Sequence, residues 1–203
     1  AGGSIADGRH LGDSTLSAEA IMGVVTASDR ASAGVYEDIS GPAIEAYFKR
    51  VLVTPFRIVR RVIPDGFESV RDTIIDLADN ERCDLILTTG GTGPSPRDLT
   101  PEATLAAAPR EFAGFGEKMR AASLAQTPTA ILSRQLAAQR GKCLVVNLPG
   151  SPRSIDLCLD SIMAAVPYCL ELMGAAWIDT DPKYIQAFRP KKCANRPSCR
   201  HAS

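Results

Sequence analysis

Short, unbroken apolar runs alternate along this chain with stretches whose apolar residues recur at helical spacing. "IMGVVTAS" (21–28) and "CDLILTT" (83–89) are runs of the first kind. They have no polar face, so each reads as a strand covered on both sides, as in a parallel sheet flanked by helices. "FRIVRRVI" (56–63) is a third strand, partly alternating. Helical stripes fall at Ile44, Tyr47, Phe48 and Val51 within 40–52, and at Val70, Ile74, Leu77 and Ala78 within 68–79. Another falls at Ile155, Cys158, Leu159 and Ile162 within 152–163. Such stripes are core faces. "AILSRQLAAQRGKCLVVNLPG" (130–150) reads as a strand, a turn near Arg140–Gly141 and a second strand. The expectation is a single α/β domain with a mainly parallel sheet, binding ligands beyond the carboxyl ends of its strands.

Composition removes several alternatives. The 203 residues suffice for one well-cored domain or two small ones. The formal net charge is zero, so bulk attraction to nucleic acid or an anionic membrane is not expected. No apolar run approaches the roughly 20 residues that a membrane span needs. The two histidines, His10 and His201, both lie in polar tails. A Ser-His-Asp or Cys-His site, or a His-ligated metal, is therefore not expected in the body of the chain. Six cysteines form no CxxC, and four of them (Cys83, Cys143, Cys158, Cys169) sit in apolar stretches, which points to a reduced, cytoplasmic protein rather than to zinc. Residues 1–19, rich in glycine and serine, read as a disordered leader, 20–190 as the functional domain, and the basic stretch 191–203 as a flexible tail.

Four polar stretches sit at strand ends. In TASDR, Thr26, Ser28 and Asp29 follow the first strand, where Ser28 and Asp29 could equally serve a turn. In IPDG, Asp65 precedes Glu68 at capping-box spacing, which offers a structural reason for this acid. In GGTGPSPRD, Gly90, Gly91 and Gly93 permit close backbone approach. Their amides, with the Thr92 hydroxyl, could converge on an anion or simply form a turn. This loop is neither a P-loop nor a dinucleotide fingerprint. Thr100-Pro101 reads as the cap and first position of a helix whose positive end lies near the loop. In NLPGSPRS, Ser151-Pro152 opens another helix beside Asn147, Pro149 and Gly150.

A carboxylate beside a phosphate cradle is repulsive unless a divalent cation lies between them. Mg²⁺ takes one or two carboxylates with phosphate oxygens and water. Asp65 and Asp98, expected at the tips of neighbouring strands, could supply those carboxylates. The nucleophile would then need no strong base, as holds for a phosphate monoester whose second pKa is about 6.

"VVTASDRASAGVYEDISGPAIEAYF", "TTGGTGPSPRDLTPEAT", "GFGEKMRAASLAQTPTAILSRQ" and "VVNLPGSPRSI", in this order, resemble the molybdopterin adenylyltransferase family. The resemblance covers roughly 21–190. It implies a three-layer α/β/α domain, usually a homotrimer, that uses Mg-ATP to adenylylate the terminal phosphate of molybdopterin and releases pyrophosphate. It places the essential acids, which are also the metal-binding pair, on Asp65 and Asp98. Asp29 and Gly90 to Gly93 match ligand-lining segments, assigned with Thr26 and Ser28 to nucleotide and phosphate. Asn147, Pro149, Gly150 and Ser151, with Ser123 and Ser133, match the molybdopterin side. A molybdenum insertase is an implied partner. The alternative is a molybdopterin-binding scaffold or insertase-type domain without adenylyl transfer.

Overall fold

A computed structural model describes residues 19–191. Nearly all of the expected leader and tail therefore lies outside the described residues, with His10, His201, Cys193 and Cys199. The strands are β1 (Ala20–Ala27), β2 (Phe56–Ile63), β3 (Leu85–Thr89), β4 (Arg110–Glu111), β5 (Ala137–Arg140) and β6 (Cys143–Leu148). The helices are α1 (Asp29–Ser32), α2 (Ser40–Val51), α3 (Phe67–Asp79), α4 (Thr100–Ala107), α5 (Ala113–Leu124), α6 (Pro152–Ile162) and α7 (Val166–Met173), with a 3-10 turn at Pro128–Leu132.

One six-stranded sheet has the order β2-β1-β3-β6-β5-β4. The first four strands are mutually parallel, and the last two pairings are antiparallel. The central strands β3 and β6 are buried at every position, as their unbroken apolar runs require. β2 is one edge, opposite β4; its Arg57 is exposed and Arg60 and Arg61 are only partly covered, which blunts edge-to-edge pairing.

Two apolar clusters sandwich the sheet. One packs Ile44, Phe48 and Val51 of α2 with Ile155 and Leu159 of α6 against Met22, Leu85 and Val146. The other packs Val70, Ile74 and Leu77 of α3 with Ala103 and Ala107 of α4 against Val25, Ile86 and Val145. This is the three-layer α/β/α arrangement, in a single domain. The Tyr47 hydroxyl donates to Asp160 at 2.9 Å, fastening α2 to α6.

The stretch 130–150 differs from expectation at its start. Pro128 opens a 3-10 turn, so Ile131 and Leu132 stand exposed, and the strand begins only at Ala137. The hairpin with its turn after Arg140 is as read. Helix α5 left no strong stripe, because Gly116, Met119 and Ser123 alone are buried on it.

Candidate active site

All four polar stretches emerge at the carboxyl ends of the parallel strands β2, β1, β3 and β6. Between them lies a cavity of about 280 Å³. Thr26, Ser28, Asp65, Gly90, Gly91, Asp98 and Gly150 line it, joined by Tyr36, Asp38, Ser40 and Thr89. A larger cavity of about 670 Å³ sits at the opposite, amino end of the sheet near Cys83 and Cys143. Its half-buried acid is already engaged: Asp84 accepts the amides of Ile21 and Ala176.

The glycine loop takes its shape from two positions. Gly90 has φ +96° and abuts the Ala27 carbonyl, and Gly91 has φ +67° and abuts the Thr100 hydroxyl, so a side chain fits at neither. The Gly90 amide is engaged by Leu148 O at 3.3 Å. The amides of Gly91, Thr92 and Gly93 make no backbone hydrogen bond among the described residues and remain donors. Thr92 is buried and, like Gly93, stands outside the cavity lining. The cap of α4 is Leu99 rather than Thr100, whose amide donates to Gly91 O at 3.1 Å. Pro101 has no N–H, so the helix offers fewer free donors than its sequence promised.

Asp65 does not cap α3. The cap is Gly66, without a side-chain hydrogen bond, and the Asp65 carboxylate instead accepts the Asp29 amide at 3.0 Å. Asp29 reciprocates by accepting the Asp65 amide at 3.0 Å. Asp65 and Asp98 also do not come from neighbouring strands, because β1 separates β2 from β3 and contributes Asp29 between them. The loop after β3 is long enough to bring Asp98 back. Burial, and then the Asp98 charge, push the Asp65 carboxyl above its ordinary range. The Asp98 carboxylate also accepts the Ser95 amide at 3.0 Å, closing the PSPRD turn. Arg97 forms an ion pair with Asp29.

Asp38, Ser40, Tyr36 and Thr89 were not singled out from the sequence. Asp38 accepts the amides of Ser40 and Gly41, both at 3.1 Å, and so begins α2. It also accepts the Thr26 hydroxyl at 2.9 Å and Arg60 at 2.6 Å. Burial opposes its charge, but these donors, Arg60 foremost, hold its carboxyl below the ordinary range. An acid just ahead of Ser-Gly-Pro at a helix start was the available signal. Ser40 donates to Gly150 O and Thr89 to Pro149 O, both at 2.8 Å, anchoring the NLPG turn.

The residues assigned to molybdopterin do not gather in this cavity, Gly150 excepted. The Asn147 side chain is fully buried and donates to Thr88 and Thr104 at 3.0 and 2.9 Å, bracing the floor. Ser123 is buried, 3.6 Å from the Cys158 sulfur. Ser133 is half-buried after the 3-10 turn, and Ser151 is exposed at the cap of α6.

Asp65 and Asp98 lining one cavity beside a glycine loop, at the carboxyl edge of a parallel sheet, mark an α/β domain with its candidate ligand site where such folds bind. The chain belongs to the family described as "Probable molybdopterin binding domain", matched over residues 23–168. It is 48% identical over 182 residues to a molybdopterin adenylyltransferase of Haemophilus influenzae, covering 84% of this chain and 92% of that one. The corresponding Escherichia coli protein is 47% identical, with 84% and 93% covered. Among solved structures, the molybdopterin biosynthesis enzyme MoaB of Thermus thermophilus superposes with a TM-score of 0.70 at 38% identity, covering 77% of this chain and 98% of that chain.

Proposed function

We propose that this chain is a molybdopterin adenylyltransferase: it joins the terminal phosphate of molybdopterin to the α-phosphorus of ATP and releases pyrophosphate. The observation that carries the reading is that Asp65 and Asp98 line one cavity at the carboxyl end of the sheet, beside the glycine loop whose Gly91 amide is left without a backbone partner. Two carboxylates forced together favour a cation between them. Among the described residues no group of three or more His, Cys, Asp and Glu forms a ready metal centre. A two-carboxylate site that substrate phosphates complete is the manner of Mg²⁺.

In the reaction, a molybdopterin phosphate oxygen forms a bond to the α-phosphorus as the bond to the bridging oxygen of pyrophosphate breaks. The nucleophile is largely dianionic at neutral pH, so no protein base is required. Bound Mg²⁺ would neutralise charge on the triphosphate. Asp65 and Asp98 would hold it, while the Gly91 amide, at the cavity wall, would donate to a phosphate oxygen, and catalysis is positioning with charge neutralisation. Asn147 acts from beneath, keeping β3, β6 and α4 in register under the cavity.

We further propose a homotrimer in the cytoplasm that passes its product to a molybdenum insertase. No helix among the described residues is long and apolar enough to cross a membrane. Pyrophosphate release from ATP in the presence of molybdopterin and magnesium tests the assignment. Molybdopterin binding without pyrophosphate release would favour the scaffold or insertase-type alternative.

A further inference from the structure

Arg134 does not line the cavity, yet it holds the glycine loop at several points. Its backbone amide donates to Thr92 O at 2.8 Å, and its Nε donates to Gly93 O at 2.9 Å. One terminal nitrogen donates to the Asp98 carbonyl, and the other pairs with the Glu102 carboxylate at the start of α4. Among the described residues, Arg134 is the one side chain from outside the loop that donates to its backbone.

The geometry has a direct consequence for the loop. In a trans peptide the C=O and N–H point in opposite directions. With the Thr92 carbonyl held by the Arg134 backbone amide, the Gly93 N–H of the same peptide turns away from that amide; the guanidinium adds its own hold on the Gly93 and Asp98 carbonyls. Asp98 is fixed on both sides, its amide donating to Ser95 O at 2.9 Å and its carbonyl accepting from Arg134. The guanidinium's charge is already answered by Glu102, so it serves the loop rather than a ligand.

We infer that Arg134 is a positioning residue for the transfer reaction: it sets the glycine loop so that the Asp98 carboxylate reaches the metal position opposite Asp65. The inference rests on the reading of Asp65 and Asp98 as magnesium-holding acids. It requires the planar, forked guanidinium, because a lysine ammonium is a point donor that cannot span Gly93 O, Asp98 O and Glu102 together.

The test is magnesium-dependent ATP binding by the full chain, followed calorimetrically without molybdopterin, alongside melting temperature and steady-state kinetics. Arg134→Gln should raise the half-saturating magnesium concentration about tenfold, the scale of one lost charge-assisted hydrogen bond. It should lower kcat while changing the KM for molybdopterin much less. Arg134→Lys should share most of this loss; wild-type magnesium dependence in that variant would overturn the inference. An unchanged magnesium titration in folded Arg134→Gln would overturn it equally. Should Arg134→Gln fail to fold, Glu102→Gln decides, since it releases one arm of the fork. A shift of about threefold is expected there for a weakened charge-assisted contact, and no shift overturns the inference. A wild-type protein that binds ATP with magnesium but releases no pyrophosphate would defeat adenylyl transfer alone, and the variants' binding titrations still decide the role of Arg134.

Discussion

Asp29 and Asp65 each accept the other's backbone amide, at 3.0 Å in both directions, tying the tip of β1 to the tip of β2. The exchange uses one oxygen of each carboxylate. Asp29 turns its other oxygen to Arg97, whereas the second oxygen of Asp65 has no hydrogen-bond partner among the described residues. Asp65 is thus oriented by the backbone while one of its oxygens stays without a hydrogen-bond partner among the described residues, in a cavity that Asp98 also lines.

Asp65→Asn and Asp98→Asn should each fold and still bind molybdopterin. Asparagine keeps the acceptor that receives the Asp29 or Ser95 amide and removes only the charge. Each should lose at least about 100-fold in adenylylation, roughly 2.7 kcal/mol of barrier. Adenylylated product measured across a magnesium titration, with unfolding followed in parallel, checks this. Near-normal rates in both variants would return the acids to structural duty.

The raised Asp65 carboxyl also makes a stability prediction. A carboxyl that holds its proton more tightly in the folded state contributes stability at low pH. That contribution is lost as pH rises from the unfolded carboxylate range through the higher folded value. Without magnesium, Asp65→Asn should therefore melt above wild type at pH 7, and the difference should shrink as pH falls into the carboxylate range. A variant less stable than wild type at neutral pH would contradict the crowding of Asp65 by Asp98.

Gly91→Ala should destabilise the fold by about 1–3 kcal/mol, the usual cost of a side chain at positive φ. The new Cβ would also meet the Thr100 hydroxyl. Gly114→Ala, where a Cβ meets nothing within 4 Å, is the control and should be neutral or slightly stabilising. Denaturant midpoints of the two variants provide the comparison.

Ser133→Phe should fold and weaken molybdopterin binding while sparing ATP binding. Ser123→Phe is a poorer probe than the sequence suggested. Its ring must enter the contact between α5 and α6 beside Cys158, an overpacking that costs about 1–3 kcal/mol. Ser123→Ala is the usable variant at that position. Unchanged pterin affinity in both Ser133→Phe and Ser123→Ala would remove these serines from the subsite.

Light scattering should give about three times the 21.6 kDa chain mass. A monomer at micromolar concentration would exclude the trimer.

The sequence by itself determined the class of fold, because strands buried on both faces must be apolar throughout and amphipathic helices must show a stripe. β2 begins and ends at the expected residues, and α2, α3 and α6 fall within one residue of their apolar patterns. It also placed the four polar turns at strand ends, since glycine and acid there are chosen by local backbone needs. It could not determine which turns meet. Strand order is a matter of pairing between distant segments, and only the folded sheet puts β1 between β2 and β3, so that Asp29 comes to lie between the two acids. Long-range hydrogen bonds likewise decided the duties of Asp38, Asn147 and Arg134, whose partners lie far off in the chain or belong to another element. Local propensity misread the start of 130–150, where Pro128 opens a 3-10 turn, and the cap of α4, which is Leu99 rather than Thr100, while the Asp29–Asp65 exchange decided the open question of whether Asp65 caps α3.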